Sequence, residues 1–80
     1  MSIANEAVVE LIKAGIPDAQ VVVDGDGYKY QAEVVSSVFA GLNKVKRHQK
    51  VYATVNDVIV SGELHALTLV ALTPEEKAAA

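Results

Sequence analysis

Residues 21–35 read VVVDGDGYKYQAEVV, and this stretch decides the fold. Val21, Val22 and Val23 are β-branched and suit a pleated strand. Asp24-Gly25-Asp26-Gly27 follows them, made of residues that tolerate turn geometry and positive φ. After the turn Tyr28, Tyr30, Ala32 and Val34 alternate with Lys29, Gln31, Glu33 and Val35, a period of two that marks a half-buried strand. Residues 20–35 are therefore expected to form a β-hairpin.

Downstream the period changes. Ser36 and Ser37 can cap a short helical turn that stops at Gly41. Asn43 can cap a longer helix running to about Val60, closed by Ser61-Gly62. On its wheel Val45, His48, Tyr52, Val55 and Ile59 fall on one side, with Lys46, Lys50 and Asp57 facing away. Leu64 to Leu72 then reads as a third strand, apolar on both faces, which suggests a central or well-covered position. Passing from the second strand to the third through helices is a crossover, so adjacent strands would pair in parallel in a mixed sheet. Thr73-Pro74-Glu75-Glu76 is a capping box with Pro at the first helical position, and it opens a last helix.

Upstream of the hairpin, Ile3, Ala7, Val8, Leu11 and Ile12 make one helical stripe, which Ser2 or Asn5 can cap and Gly15 and Pro17 end. The order is α-β-β-α-α-β-α, an α+β fold whose three-stranded mixed sheet carries its helices on one face.

Eighty residues make a single domain, 1–80. Apolar residues are 51% of the chain, enough for one core of Val, Leu, Ile and Ala around a single Phe. The net charge of −3 gives no global attraction to nucleic acid or anionic lipid. Without Cys the chain can build neither a disulfide nor a thiolate metal site of its own. The first residues, MSIANEAVVE, lack a signal-peptide pattern, and no apolar run is long enough to span a membrane. The expected location is cytoplasmic, with no membrane partner.

Phe39 to Tyr52, FAGLNKVKRHQKVY, lies ahead of Leu64-His65-Ala66-Leu67 and Leu72-Thr73-Pro74-Glu75. In that order and spacing these segments resemble the BolA family. The Gly25-Asp26-Gly27 turn makes the likeness strongest to its IbaG-like branch. The resemblance covers nearly the whole chain, and its most specific pieces are Phe39 with Gly41, Arg47-His48, Val51-Tyr52 and His65-Ala66. It implies a fold similar to the type II KH domain. It also implies one of two roles: sharing a [2Fe–2S] cluster with a monothiol glutaredoxin and glutathione, or regulating transcription through DNA contact.

On the first role, the family's cluster ligand is the His of the His-Ala pair, here His65 followed by Ala66, which together form the partner-binding point. Imidazole can replace thiolate on an iron–sulfur cluster. One imidazole cannot hold a cluster alone, so the isolated chain should carry none. The alternative is an ordinary strand-end histidine. Many relatives carry a second Cys or His in or beside the hairpin loop, where this chain has Lys29. A protonated Lys has no lone pair to donate, so a cluster here must do without that ligand.

On the second role, Lys44, Lys46, Arg47 and Lys50 crowd the start of the long helix, with no acid between Asn43 and Asn56. Cations there oppose the helix dipole, which points to phosphate contacts or, more blandly, to a solvated face balanced by acids in space. Gly41-Leu42-Asn43-Lys44 occupies the place of the KH loop but lacks its second Gly, and no aromatic is interleaved for base stacking. His48 and Tyr52 read as packed side chains, with the Tyr52 hydroxyl at the rim, and Phe39 as the anchor of the short turn.

No nucleophile and base arrangement is recognisable. Asp24 and Asp26 lack the spacing of a calcium loop, and a hairpin rather than a βαβ unit follows the GDG. The chain is expected not to be an enzyme. A protein–protein module with neither metal nor DNA is the third reading.

Overall fold

The computed structural model describes residues 3–79. Seven elements follow in the expected order: α1 (Asn5–Gly15), β1 (Gln20–Gly25), β2 (Lys29–Val35), a 3-10 turn (Ser37–Phe39), α2 (Lys44–Ser61), β3 (Ala66–Leu72) and α3 (Pro74–Ala79). β1 and β2 pair antiparallel, with Val23 opposite Ala32 and Gly25 opposite Tyr30. β2 and β3 pair in parallel, from Lys29 opposite Ala66 to Val35 opposite Leu72. The hairpin and the crossover are thus as the hydrophobic periods predicted.

The order across the sheet is β1-β2-β3, which corrects the position expected for the third strand. β2 is central and β3 lies at an edge. Its buried residues alternate: Leu69 and Ala71 are buried while Val70 is 46% exposed. Val70 shares the uncovered face with Val22. Leu64 precedes the strand as a buried plug. The apolar run reflects two buried jobs in series, and a parallel neighbour on one side only.

One face of the sheet carries the core. Tyr30, Ala32, Val34, Leu69 and Ala71 meet Val8, Ile12 and Ile16 from α1 and its end, and Val51 and Val55 from α2. Phe39 is fully buried, so it anchors the 3-10 turn as expected, a contribution of about 1.5–3 kcal/mol for such a side chain. α1 ends where it does for a reason beyond stop chemistry. A Cβ on Gly15 would come within 2.4 Å of the Thr54 methyl, so Gly15 lets α1 and α2 approach closely.

That contact turns the buried stripe of α2. Val51 and Val55 are its centre, flanked by Tyr52, Val58 and Ile59, while Val45 is 64% exposed. The wheel expectation that placed Val45 inside is corrected. Because α2 packs on α1 as well as on β3, the buried arc extends to the Thr54 side.

The caps follow the sequence at four of five positions. Asn43 accepts from the Lys46 amide at 2.9 Å, and Ser36 accepts from the Val38 amide at 3.2 Å. Gly62 closes α2 in the left-handed region at φ 85°. Thr73 and Glu76 exchange the reciprocal bonds of a capping box, 2.8 and 3.2 Å. The first helix differs: Ala4 is its cap and gives no side-chain bond, while Asn5 is already helical. Ser2 lies outside the described residues.

Candidate functional site

β2 and β3 run the same way, so the sheet has two distinct ends. At one end the hairpin turn, the start of β2 and the start of β3 meet. At the other, the ends of β2 and β3 meet the N-terminus of α2 and the short α3.

His65 stands at the first end, immediately before β3, and is exposed. Among the described residues no hydrogen bond reaches either of its ring nitrogens. The parallel register pairs Lys29 with Ala66, which sets residues 28 and 65 side by side. The Tyr28 ring stacks on the His65 ring with centroids 5.8 Å apart and planes 23° from parallel. The turn beneath is fixed by Asp26, whose Oδ1 accepts from the amides of Tyr28 at 2.9 Å and Lys29 at 2.8 Å. Those two amides, Lys29 first, hold the Asp26 carboxyl below the usual carboxylate range. The Ala66 amide donates to the Tyr28 carbonyl at 3.2 Å, joining the turn to the start of β3. Tyr28 precedes β2 and is 75% exposed, where alternation had assigned it to the half-buried strand.

Lys29 lies beside this point but on the strand position that alternates away from buried Tyr30. Among the described residues no group of three His, Cys, Asp or Glu side chains comes together as a metal cage.

The second end is built differently. Arg47 is one of the residues grouped in the sequence with Lys44, Lys46 and Lys50 as a phosphate contact. Its side chain is only 15% exposed. Its Nε donates to the Leu42 carbonyl at 2.9 Å, and Nη1 donates to the Ala71 carbonyl at 3.1 Å. Nη1 and Nη2 also donate to the two Glu76 oxygens, at 2.6 and 3.3 Å. Arg47 thus fastens the loop before α2, the outer edge of β3 and the last helix. That corrects its assignment as a free cation. Arg47 first, then the Thr73 amide, holds the Glu76 carboxyl down at about 2. Lys44, Lys46 and Lys50 remain exposed on α2.

Near the same end Asp18 accepts from the hydroxyls of Ser36 at 2.7 Å and Ser37 at 2.9 Å, which lower its pKa. Lys77 of α3 pairs with Glu33 at 2.9 Å. His48 is half-buried, edge-on to Tyr52 at 6.3 Å and 78°, and Tyr52 donates its hydroxyl to the Leu67 carbonyl at 3.3 Å. Both are packed side chains with polar rims, as their wheel positions predicted.

A family model described as BolA-like protein matches residues 9–76. The chain belongs to the BolA family. It is 44% identical over 72 residues to an uncharacterized protein from the rpoN-murA intergenic region of Acinetobacter guillouiae, covering 90% of this chain and 87% of that one. It is 31% identical over 72 residues to the acid stress protein IbaG of Escherichia coli K12, covering 90% and 86%. Among solved structures, the BolA domain of SufE1 from Arabidopsis thaliana superposes with a TM-score of 0.80 at 27% identity, covering 95% of this chain and 98% of that one. The BolA fold is thus shown by sequence and by structure, and IbaG is among the relatives, in line with the GDG turn.

Two parts of this BolA-family structure were missed in the sequence. The Tyr28–His65 stack joins residues 37 positions apart, and only the parallel register could have placed them together. The Arg47–Glu76 pair was hidden because Arg47 read as part of a cationic run. The capping box had already fixed where Glu76 sits, but not what faces it.

Proposed function

We propose that this BolA-family protein is a non-enzymatic adapter that binds a monothiol glutaredoxin with glutathione and contributes His65 to a bridging [2Fe–2S] cluster. The observation that carries the reading is the position of His65. It is exposed at the start of β3, with no hydrogen bond to its ring nitrogens among the described residues, at an end of the sheet whose backbone is held without it. A ring in that position can meet a partner's metal without breaking a hydrogen bond made among the described residues. The chain has no thiolate, so the remaining ligands must come from outside. Such a cluster supplies iron and sulfide to be passed on or sensed, and this chain's part is to bind and orient. Because neutral imidazole is the ligand form, protonation competes with ligation and acidification should release the cluster.

The test is titration of the protein into [2Fe–2S]-loaded monothiol glutaredoxin with glutathione, followed by visible circular dichroism. The wild type should give a new spectrum and His65→Ala should not. An unchanged spectrum with the wild type overturns the reading.

A second reading is kept by one observation: Lys44, Lys46 and Lys50 are exposed along the start of α2, with no acid in its first turn. They could take phosphates of DNA. Because Arg47 is engaged in the fold, the discriminating variant replaces the three lysines and leaves Arg47 alone. Loss of DNA binding and of its salt dependence in that variant, with cluster sharing intact, would favour this role.

A further inference from the structure

We infer that Tyr28 is a positioning residue for His65, holding the imidazole ready for a metal on the partner; the inference rests on the ligand role proposed for His65. A ligand that acts alone from its chain has no neighbouring ligand to fix its ring. A surface His otherwise samples several rotamers and must be ordered when the complex forms. Here the order is already present. The Tyr28 ring stacks near-parallel to the His65 ring at 5.8 Å and 23°, within the range of offset-stacked aromatic pairs.

The direction of the contact matters. A metal binds imidazole through a nitrogen lone pair in the plane of the ring, whereas Tyr28 meets His65 as a near-parallel, offset stack. The stack therefore restrains the ring and leaves the in-plane nitrogens open. Tyr28 is itself restrained at both ends of its residue: its amide donates to Asp26 and its carbonyl accepts from Ala66, the neighbour of His65. Lys29, next in sequence, cannot ligate. Tyr28 thus supplies rigidity at a place where the residue after it supplies no ligand.

Beyond the stack on His65, nothing among the described residues uses the Tyr28 ring. It is 75% exposed, and neither the core nor any hydrogen bond among the described residues includes its side chain. A large exposed aromatic without a packing role is consistent with a site.

The test compares Tyr28→Ala, Tyr28→Phe and Lys29→Ala in two measurements. In the free protein, NMR of the His65 ring protons should show a ring-current shift that is lost in Tyr28→Ala and kept in the other two. In the complex, formation of the shared-cluster spectrum should need roughly three- to tenfold more Tyr28→Ala protein, and about wild-type amounts of Tyr28→Phe and Lys29→Ala. Unmoved His65 signals in Tyr28→Ala overturn the inference at its root. A lost shift with unchanged complex formation overturns the positioning role. An equal loss of affinity for cluster-free glutaredoxin also overturns it, by showing Tyr28 to be a partner contact instead. A wild type that forms no shared-cluster spectrum overturns the ligand role of His65 first, and the positioning role with it, even where the NMR shift confirms the stack.

Discussion

At the hairpin end of the sheet, backbone bonds and the Asp26 carboxylate hold the chain, and the rings of Tyr28 and His65 stand outside that framework. At the α3 end the reverse holds: the Arg47 side chain is itself the framework, joining Leu42, Ala71 and Glu76. Both ends carry side chains that attract a functional reading from sequence. The difference between them is where their polar atoms go. A cation that already makes four hydrogen bonds within the fold has little left for a phosphate, whereas an imidazole whose nitrogens make none among the described residues is open to a partner. Charge type alone does not distinguish structure from function; the accounting of partners does.

The largest expected effect sets the two ends directly against each other. His65→Ala should abolish the shared-cluster spectrum while leaving stability within about 0.5 kcal/mol, as for other exposed substitutions without a structural role. Chemical denaturation beside visible circular dichroism checks both halves. A substantial loss of stability would mean that the open end is structural too.

Arg47→Ala should do the opposite. It strands the Leu42 and Ala71 carbonyls in a part-buried setting and should cost about 2–3 kcal/mol in denaturant unfolding, with His65 chemistry retained in the folded fraction. Arg47→Lys should recover only part of that loss, because one ammonium lacks the planar fork that reaches three acceptor groups at once. Full recovery would show that charge, not geometry, holds this end.

The acid response should be smaller and should arise mostly at the α3 end. The folded-state pKa of Glu76 is lowered from 4.5 to about 2. A depressed carboxyl stabilises the fold above its unfolded pKa, and that contribution is lost as pH falls through the folded value. Stability should therefore decline between about pH 4.5 and pH 2, with Asp18 and Asp26 adding in the same direction below 3.8. In a series of unfolding curves against pH, Glu76→Gln should flatten the slope more than Asp26→Asn. An equal flattening would make the two ends electrostatically alike.

The smallest effect should be the same at both ends. Gly41 before α2 and Gly62 after it have φ of 78° and 85°, with open space where a Cβ would stand. Replacement by Ala should cost about 1 kcal/mol at each, through backbone strain alone. A larger loss at one end in thermal unfolding would reveal that its loop geometry couples to the contacts around it.

Much of this was legible in the residues. The hairpin at 20–35, the Asn43 and Ser36 caps, the Gly62 stop and the Thr73–Glu76 capping box are local chemistry, settled within a few positions along the chain. His65-Ala66 was singled out only through the family resemblance, and the structure sets His65 exposed just before β3. Val45 and β3 were misplaced for one shared reason. Their burial depends on what packs beside them, and a run of apolar residues does not say whether its neighbour is a strand, a helix or water. Arg47 belongs to the same class, since a cation in a basic run declares its charge but not its partner.

By itself the sequence determined the elements, their order and the parallel crossover, because period, turn chemistry and caps act over short range. It also required that an iron–sulfur cluster, if one is bound, take its thiolates from outside, because the chain has no Cys. Only the tertiary structure decided that β2 is central, that Arg47 is a fastening rather than a free cation, and that Tyr28 lies on His65. Each of these is set by strand register and by the approach of α2 to the sheet. Such long-range contacts join residues 24 to 37 positions apart, and no local pattern records them.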